Sequence, residues 1–510
     1  MASTSSPASQ PLDRGVLVIA GVVILGVIMS ILDITVVNVA LNTLAADFDT
    51  SLTTVQWVAT GYTLALATVI PLTGWAADRF GTKRLYMMSI TLFVAGSLLS
   101  AMAWSAGSLI AFRVLQGLGG GMLMPAGMTI LTRAAGPARI GRVMGVIGIP
   151  MLLGPVVGPI LGGWLVDDLS WRFIFLINLP IGAVALVAAY RVLPSDTPEP
   201  SFRLDWLGLA MLSPGLAAII YGLAESNAHG GFGQPEVFGP VLAGALAVAG
   251  FFWHAVRTPD TALIDPRLFR NRTYSASIAT QIMVAVALFG GLLLMPLYFQ
   301  IVRGESPLIT GLLVAPQGLG AMITMPIAGR LTDRIGTGRI VPFGLVGVGA
   351  AMLWLTQIGA DSSYVRTSAN MFLLGLGMGA TMMPTFTGAI QTLSRSAVAR
   401  GTTVLNINQQ IGASLGTSIL SVLLANGIAS RIGGPSGGGI GAVSDEARAR
   451  VAPQLADAFG ATYTVAFGLV CAAFVVASLL LPKTKPAPPV EDEQHAQARA
   501  DAGMEALAAA

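Results

Sequence analysis

The chain has 510 residues, 54% of them hydrophobic and only 10% charged, with a formal net charge of +3 and one cysteine. A soluble domain carries roughly 25% charged residues, so this chain cannot cover a water-facing surface, and most of that surface must face lipid. The small net charge offers no basic field for nucleic acid, and a lone thiol, Cys471, can form neither an internal disulfide nor a cysteine metal cluster.

A bilayer-spanning helix needs roughly 20 mostly apolar residues. Such runs fall at 15–40, 53–76, 84–104, 107–132, 141–166, 172–193, 204–223, 236–256, 273–301, 308–331, 340–359, 366–391, 402–427 and 461–481, which predicts an all-α membrane protein of about fourteen transmembrane helices. The first run is longer than the roughly 7–15 residues of a signal core, and no small-residue cleavage site follows it. With the N-terminus in the cytoplasm and sides alternating, most Lys and Arg fall on inner segments. Arg172, Arg303, Arg366, Arg431, Arg448 and Arg450 are the outer exceptions. This bias supports a multi-pass plasma-membrane protein with both termini cytoplasmic.

In the first predicted helix, Asp33 lies well inside the apolar run. An ionisable group in hydrocarbon is costly and is a functional hypothesis by default. Low dielectric disfavours a charged carboxylate, so Asp33 suits proton uptake and release. The plainer alternative is a hydrogen-bonded carboxylate that serves helix packing. Asn38 in helix 1, Gln56, Trp57 and Tyr62 in helix 2, Gln281 in helix 9, and Asn408 in helix 13 either line a substrate cavity or bond neighbouring helices.

After helix 2 the chain reads GWAADRFGTKR (74–84), and after helix 10 it reads GRLTDRIGTGR (329–339). Gly74, Asp78, Arg79, Gly81, Thr82 and Arg84 recur in register as Gly329, Asp333, Arg334, Gly336, Thr337 and Arg339. The match indicates internal duplication. It also suggests that Asp78, Arg79, Gly81 and Arg84 do more than set orientation: they form a latch at an inner gate. A duplicated six-helix unit would place the second copy after helix 8, so helices 7 and 8 are an insert. The expected organisation is a cytoplasmic N-terminus (1–14), a six-helix bundle (15–193), two inserted helices with inner linkers (194–271), a second six-helix bundle (272–482) and a disordered cytoplasmic tail (483–510).

Helix 4 carries Arg113, with Gln116, Gly117 and Gly120 on its face. A fixed cation there can tune a nearby carboxyl, or it can simply bond backbone carbonyls. Helix 5 carries the stripe Gly154, Gly158 and Gly162, with Pro150, Pro155 and Pro159. Small stripes let helix backbones pack closely, and three prolines suggest a built-in bend; Gly154, Pro155 and Gly158 are therefore gating candidates. Glu225 near the outer end of helix 7 is expected to snorkel to the interface. The long outer segment 428–460 is Gly-rich and predicts a short separate helix from Ser444–Asp445 to Phe459. The chain shows no Walker-type phosphate loop, and His229, His254 and His495 are scattered, which argues against an enzyme and against a resident metal or cofactor.

These residues together resemble the major facilitator superfamily, in its fourteen-helix drug–proton antiporter branch, from about residue 15 to 482. Gly74, Asp78, Arg79, Gly81, Lys83 and Arg84 match the inner-loop signature, which the resemblance ties to the inner gate. Arg113, Gln116 and Gly117 match the helix 4 signature, tied to proton coupling. Gly145, Gly154, Pro155, Gly158, Gly162 and Gly163 match the helix 5 signature of antiporters. Asp33, Thr35, Asn38, Ala40 and Leu41 match the helix 1 signature, and Trp171, Arg172, Phe175, Asn178 and Pro180 match the turn into helix 6. Departures are Asn42 where Pro is usual, Thr82 where Arg is common, and Gly338 opposite Lys83. The resemblance implies proton-driven export of small amphipathic or cationic compounds by alternating access. Asp33 and Arg113 would couple the proton, Gln116 and the polar residues above would line the cavity, and no cofactor beyond the proton gradient would be needed. The partners implied are a small-molecule substrate, protons and the lipid bilayer, with the protein a monomer. The alternative is export of an endogenous lipid, siderophore or secondary metabolite.

Overall fold

The structure, a computed structural model, describes residues 13–136, 139, 143, 154, 157–158, 161–195, 203–228, 231–394, 397–432 and 445–483. Every regular element among them is helical. Lipid offers backbone groups no hydrogen-bond partner, so a spanning segment must satisfy its own. In chain order the helices are α1 (Arg14–Asp47), α2 (Leu52–Phe80), α3 (Thr82–Ala101), α4 (Ala106–Ala135), α5 (161–168), α6 (Arg172–Leu176), α7 (Asn178–Val192), α8 (Trp206–Ala228), α9 (Pro235–Arg257), α10 (Arg272–Ile301), α11 (Pro307–Ile335), α12 (Thr337–Leu355), α13 (Tyr364–Ile390), α14 (Val398–Ile432) and α15 (Asp445–Leu480). Thirteen spans among the described residues are long and apolar enough to cross a bilayer, α6 and α7 forming one span together. The other predicted span, 141–166, lies mostly outside the described residues, as do the Gly-rich segment 433–444 and the tail from 484.

The short helix expected before the last span does not stand alone. It is fused with that span into α15, and Pro453 lies inside the continuous helix. Leu455, Phe459, Tyr463, Ala466, Val470, Ala473 and Ala477 are buried along one face, and Phe459 meets the Tyr298 ring edge-on at 5.8 Å. An uninterrupted apolar face at spacings of three and four draws the helix through the proline.

The packing repeats along the chain. The pairs α2–α4, α3–α4, α1–α7 and α3–α7 recur as α11–α13, α12–α13, α10–α15 and α12–α15. Helices α8 and α9 pack on each other, and α8 also touches α2 and α14. The repeated loops have one geometry. Gly81 ends α2 at φ 82°, ψ 149°, with its N–H bonded to the Ala77 carbonyl. Gly336 ends α11 at φ 85°, ψ 164°, with its N–H bonded to the Thr332 carbonyl. Only glycine takes this backbone region freely, and a side chain there costs about 1–3 kcal/mol. Gly81→Ala should therefore lower the melting temperature in detergent, whereas Gly468→Ala, whose new Cβ meets nothing within 4 Å, should not.

At the end of the molecule that carries these loops, one apolar cluster joins the first four helices to α13 and α14 through Met383, Phe386, Ile390, Val404 and Leu405. At the opposite end the cluster of Val36, Leu44, Val55, Leu109, Trp171 and Phe175 stands apart from the core of the second half. Among the described residues, the two halves are thus closed at the loop end and share no common apolar core at the other.

Candidate functional site

Asp33 of α1 and Arg113 of α4 meet in the interior of the first half. Arg113 Nη1 donates to Asp33 Oδ2 at 2.5 Å, and both side chains are almost fully buried. Gln116 Nε2 donates to Asp33 Oδ1 at 2.8 Å and its Oε1 accepts from Arg113 at 2.8 Å. Asn178 Nδ2, at the start of α7, donates to Asp33 Oδ1 at 3.3 Å and to Ser97 Oγ at 3.0 Å. Arg113 Nε reaches the Val58 carbonyl of α2 at 3.3 Å. The Tyr62 ring lies 4.1 Å from the guanidinium carbon, and its hydroxyl shares a hydrogen bond with Ser30. Two charges this deep are tolerated when they are paired and hydrogen-bonded, and here the pair is direct and is braced by Gln116, Asn178 and the Val58 carbonyl. Taking a proton onto Asp33 would remove the ion pair and leave Arg113 to find other partners.

The sequence placed Tyr62 and Gln116 among cavity-lining candidates. The structure instead puts both inside this network, each under 2% exposed. Sequence reasoning gave Asn178 only a family-motif match and did not single out Ser97; their polar side chains inside an apolar span were the available signal.

The glycine stripe of helix 5 faces α1 beside Asp33. A side chain at Gly154 would strike Ile31, and one at Gly158 would strike Thr35. At Gly162 a Cβ would lie 3.1–3.2 Å from Val36. Thr35 Oγ1 lies 3.4 Å from the Gly154 carbonyl. Pro155 lies outside the described residues.

At the closed end, Asp78 bridges both halves. Its carboxylate is 3.7 Å from Arg133 Nη2 of α4 and 3.6 Å from Arg400 Nε of α14. Close by, Thr129 and Thr402 share a hydrogen bond of 3.0 Å across the same seam. In the second copy of the loop, Asp333 accepts from Gln391 Nε2 at 2.9 Å. Gly81 is the turn itself, Arg79 is exposed, and Arg84 is exposed and lines a groove at the loop end. The Gly338 departure also has a physical reason. Lys83 Nζ donates to the Tyr190 and Leu193 carbonyls, capping α7. At the matching place the Gly338 N–H donates to the Pro482 carbonyl after α15, and a Cβ on residue 338 would lie 2.5 Å from that oxygen.

A pocket lies between the halves. Met124 and Met128 of α4 face Gln281 of α10, Met382, Met383 and Phe386 of α13, and Gln409 of α14. Asn408 donates to Gln281 Oε1 at 3.2 Å and braces the wall without lining it. Asn38 and Gln56 are exposed, and Trp57 stacks on Tyr221 of α8 at 5.8 Å. Methionine is flexible and polarisable, and it suits surfaces that accept many shapes. None of these methionines stood out in the sequence, because an apolar residue in an apolar helix carries no contrast.

The sequence matches the Major Facilitator Superfamily over residues 23–417. The chain belongs to that superfamily. A relative described as "Multidrug resistance protein B homolog" from Mycobacterium tuberculosis is 44% identical, over 92% of this chain and 90% of its own. The "Tetracenomycin C resistance and export protein" of Streptomyces glaucescens is 31% identical, over 81% of this chain and 76% of its own. In fold, the chain is similar to the human organic anion transporter MFSD10, with a TM-score of 0.60 at 16% identity, covering 90% of this chain and all of that one. The protein is therefore a multi-pass plasma-membrane transporter and not an enzyme; it moves small molecules across the bilayer and draws on the proton-motive force, not on a bound cofactor.

Proposed function

We propose that this superfamily member is a proton-driven multidrug antiporter that exports amphipathic or cationic compounds, working as a monomer with both termini in the cytoplasm. The observation that carries this reading is the buried Asp33–Arg113 pair, sealed among α1, α2, α4 and α7 and apart from the methionine-lined pocket. The name of the Mycobacterium tuberculosis relative supports it. On this reading, residues 15–193 and 272–482 act as two six-helix bundles, residues 194–271 as an insert, and the loop end is the cytoplasmic gate. The state described here is then closed inward.

A proton arriving from outside neutralises Asp33 and frees Arg113. Helix α1 shifts against the glycine stripe beside it, and α4 shifts with its guanidinium. Arg113 and Met124 are eleven residues apart on α4, roughly 16 Å at 1.5 Å per residue, so the proton and the drug occupy separate sites joined by one rigid helix. Drug leaves outside, the inner gate opens, and Asp33 gives its proton to the cytoplasm as new substrate enters. A charge moving through 100 mV supplies about 2.3 kcal/mol. In cells lacking their own exporters, expression should speed loss of a preloaded cationic dye, and a protonophore should stop it. Dye loss indifferent to the protonophore would contradict the reading.

Export of an endogenous secondary metabolite is the second reading, favoured by the tetracenomycin exporter among the relatives. It predicts loss of an extracellular product on deletion, with little change in dye resistance.

The pocket makes a separate prediction. Met128→Ala and Met383→Ala should change the relative half-saturation of large and small dyes by about tenfold, the scale of one or two methylenes in an apolar site, and leave the pH profile of transport in place. Unchanged dye ranking would remove these residues from the substrate site.

A further inference from the structure

A second recess lies at the loop end, outside the seam between the halves. It is formed by the end of α2, the start of α3 and the end of α7, and Phe80, Lys83, Arg84, Met87, Tyr190, Arg191 and Ser195 line it. Its cationic groups do not have equal work. Lys83 is already spent on the Tyr190 and Leu193 carbonyls, at 2.7 and 2.8 Å, which neutralises the negative end of α7. Arg84 and Arg191 are both exposed and make no ion pair among the described residues. Among the described residues, no acidic one lines the recess. Ser195 adds a hydroxyl, the remaining lining residues are Phe80, Met87 and Tyr190, and Tyr190 is 68% exposed and Phe80 39%.

Two free guanidiniums above an aromatic and thioether floor, at the ends of spanning helices, match a molecule with an anionic head and an apolar body. Guanidinium forks bind phosphate oxygens in pairs, and basic recesses between transmembrane helices hold anionic lipid head groups. The start of α3 adds the positive end of a helix dipole. The second half differs at this place: Gly338 stands where Lys83 does, and the backbone of Pro482 fills the place of that side chain.

We infer that this recess is a binding site for the phosphate head group of an anionic glycerophospholipid, gripped by Arg84 and Arg191 with Tyr190 and Phe80 against the acyl region. Naming the inner leaflet rests on the orientation proposed above; the binding itself does not. The site ties the loop after α2, whose other face carries the Asp78 latch, to the composition of the surrounding membrane.

The test uses the purified full-length protein in detergent. Phosphatidylglycerol, phosphatidylcholine and inorganic phosphate are added separately, and melting temperature and lipid retained in native mass spectra are read. Phosphatidylglycerol should be retained and should raise the melting temperature, while phosphatidylcholine and phosphate should not. The double variant Arg84→Gln/Arg191→Gln should weaken the phosphatidylglycerol effect about tenfold, with the melting temperature in phosphatidylcholine unchanged. A second measurement needs no variant: phosphatidylglycerol vesicles should protect Arg84 and Arg191 of the native protein from phenylglyoxal, relative to phosphatidylcholine vesicles. Equal stabilisation by phosphate alone, an undiminished lipid effect in the double variant, or equal labelling in both vesicles would overturn the assignment.

Discussion

Replacing Asp33 with asparagine should reduce pH-driven export to background. The carboxylate accepts from Arg113, Gln116 and Asn178 at once, and asparagine cannot serve as acceptor to all three. Its amide would present a donor to the guanidinium, and the residue could not carry the proton. Removing one partner of a buried pair costs about 3–5 kcal/mol, because the other charge is left uncompensated. Asp33→Asn should therefore also melt earlier than the native protein. Asp33→Asn/Arg113→Gln separates the two effects: it removes the stranded cation, so stability should largely return while proton coupling does not. Arg113→Lys should not substitute, since one ammonium cannot reach Asp33, Gln116 and the Val58 carbonyl from a planar fork. Melting curves and dye flux on the same preparations check this. Proton-driven export by Asp33→Asn at the native rate would remove the residue from the mechanism.

Asp78→Asn should shift the protein toward the state open at the loop end. Asp78 and Arg400 are each largely buried, and their 3.6 Å pairing crosses the seam between the halves. An exposed pair contributes roughly 0–1 kcal/mol. This one is more enclosed, so loss of about 1–2 kcal/mol is expected, which is a 5- to 30-fold change in the ratio of states. Such a latch biases an equilibrium and does not lock it. A cysteine introduced at Thr402, which shares a hydrogen bond with Thr129 across the closed seam, should react faster with a water-soluble thiol reagent in Asp78→Asn than in the parent. Gly81→Ala disturbs the turn but leaves the carboxylate, and it should give less of this shift. Equal labelling in both backgrounds would separate Asp78 from the gate.

Parts of this were legible in the sequence for a definite reason. Charge in hydrocarbon is so costly that Asp33 and Arg113 stand out without any structure, and the loop repeat foretold two turns whose glycines adopt nearly the same positive φ. What closes around them was not legible. Tyr62 and Asn178 reach the pair from distant parts of the chain, Ser97 holds Asn178, and nothing local in the sequence says that the Tyr62 ring covers a guanidinium. The glycine stripe announced close packing but not that its partner face is Ile31, Thr35 and Val36. The start of α15 was read as a separate helix ending at Phe459, whereas burial of Leu455, Phe459 and Tyr463 against the second half carries one helix through that point. The methionine-lined pocket was hidden because methionines differ from their apolar neighbours only in flexibility, which matters once these helices face one another.

Flux of a cationic dye into inverted proteoliposomes, with the pH step imposed in either direction and the internal pH recorded at the same time, tests proton–drug exchange most directly. Dye should accumulate only when protons run the opposite way, dye added without a pH step should drag protons outward, and both effects should vanish in Asp33→Asn. Dye movement equal under either pH step, with no accompanying proton signal, would contradict the mechanism.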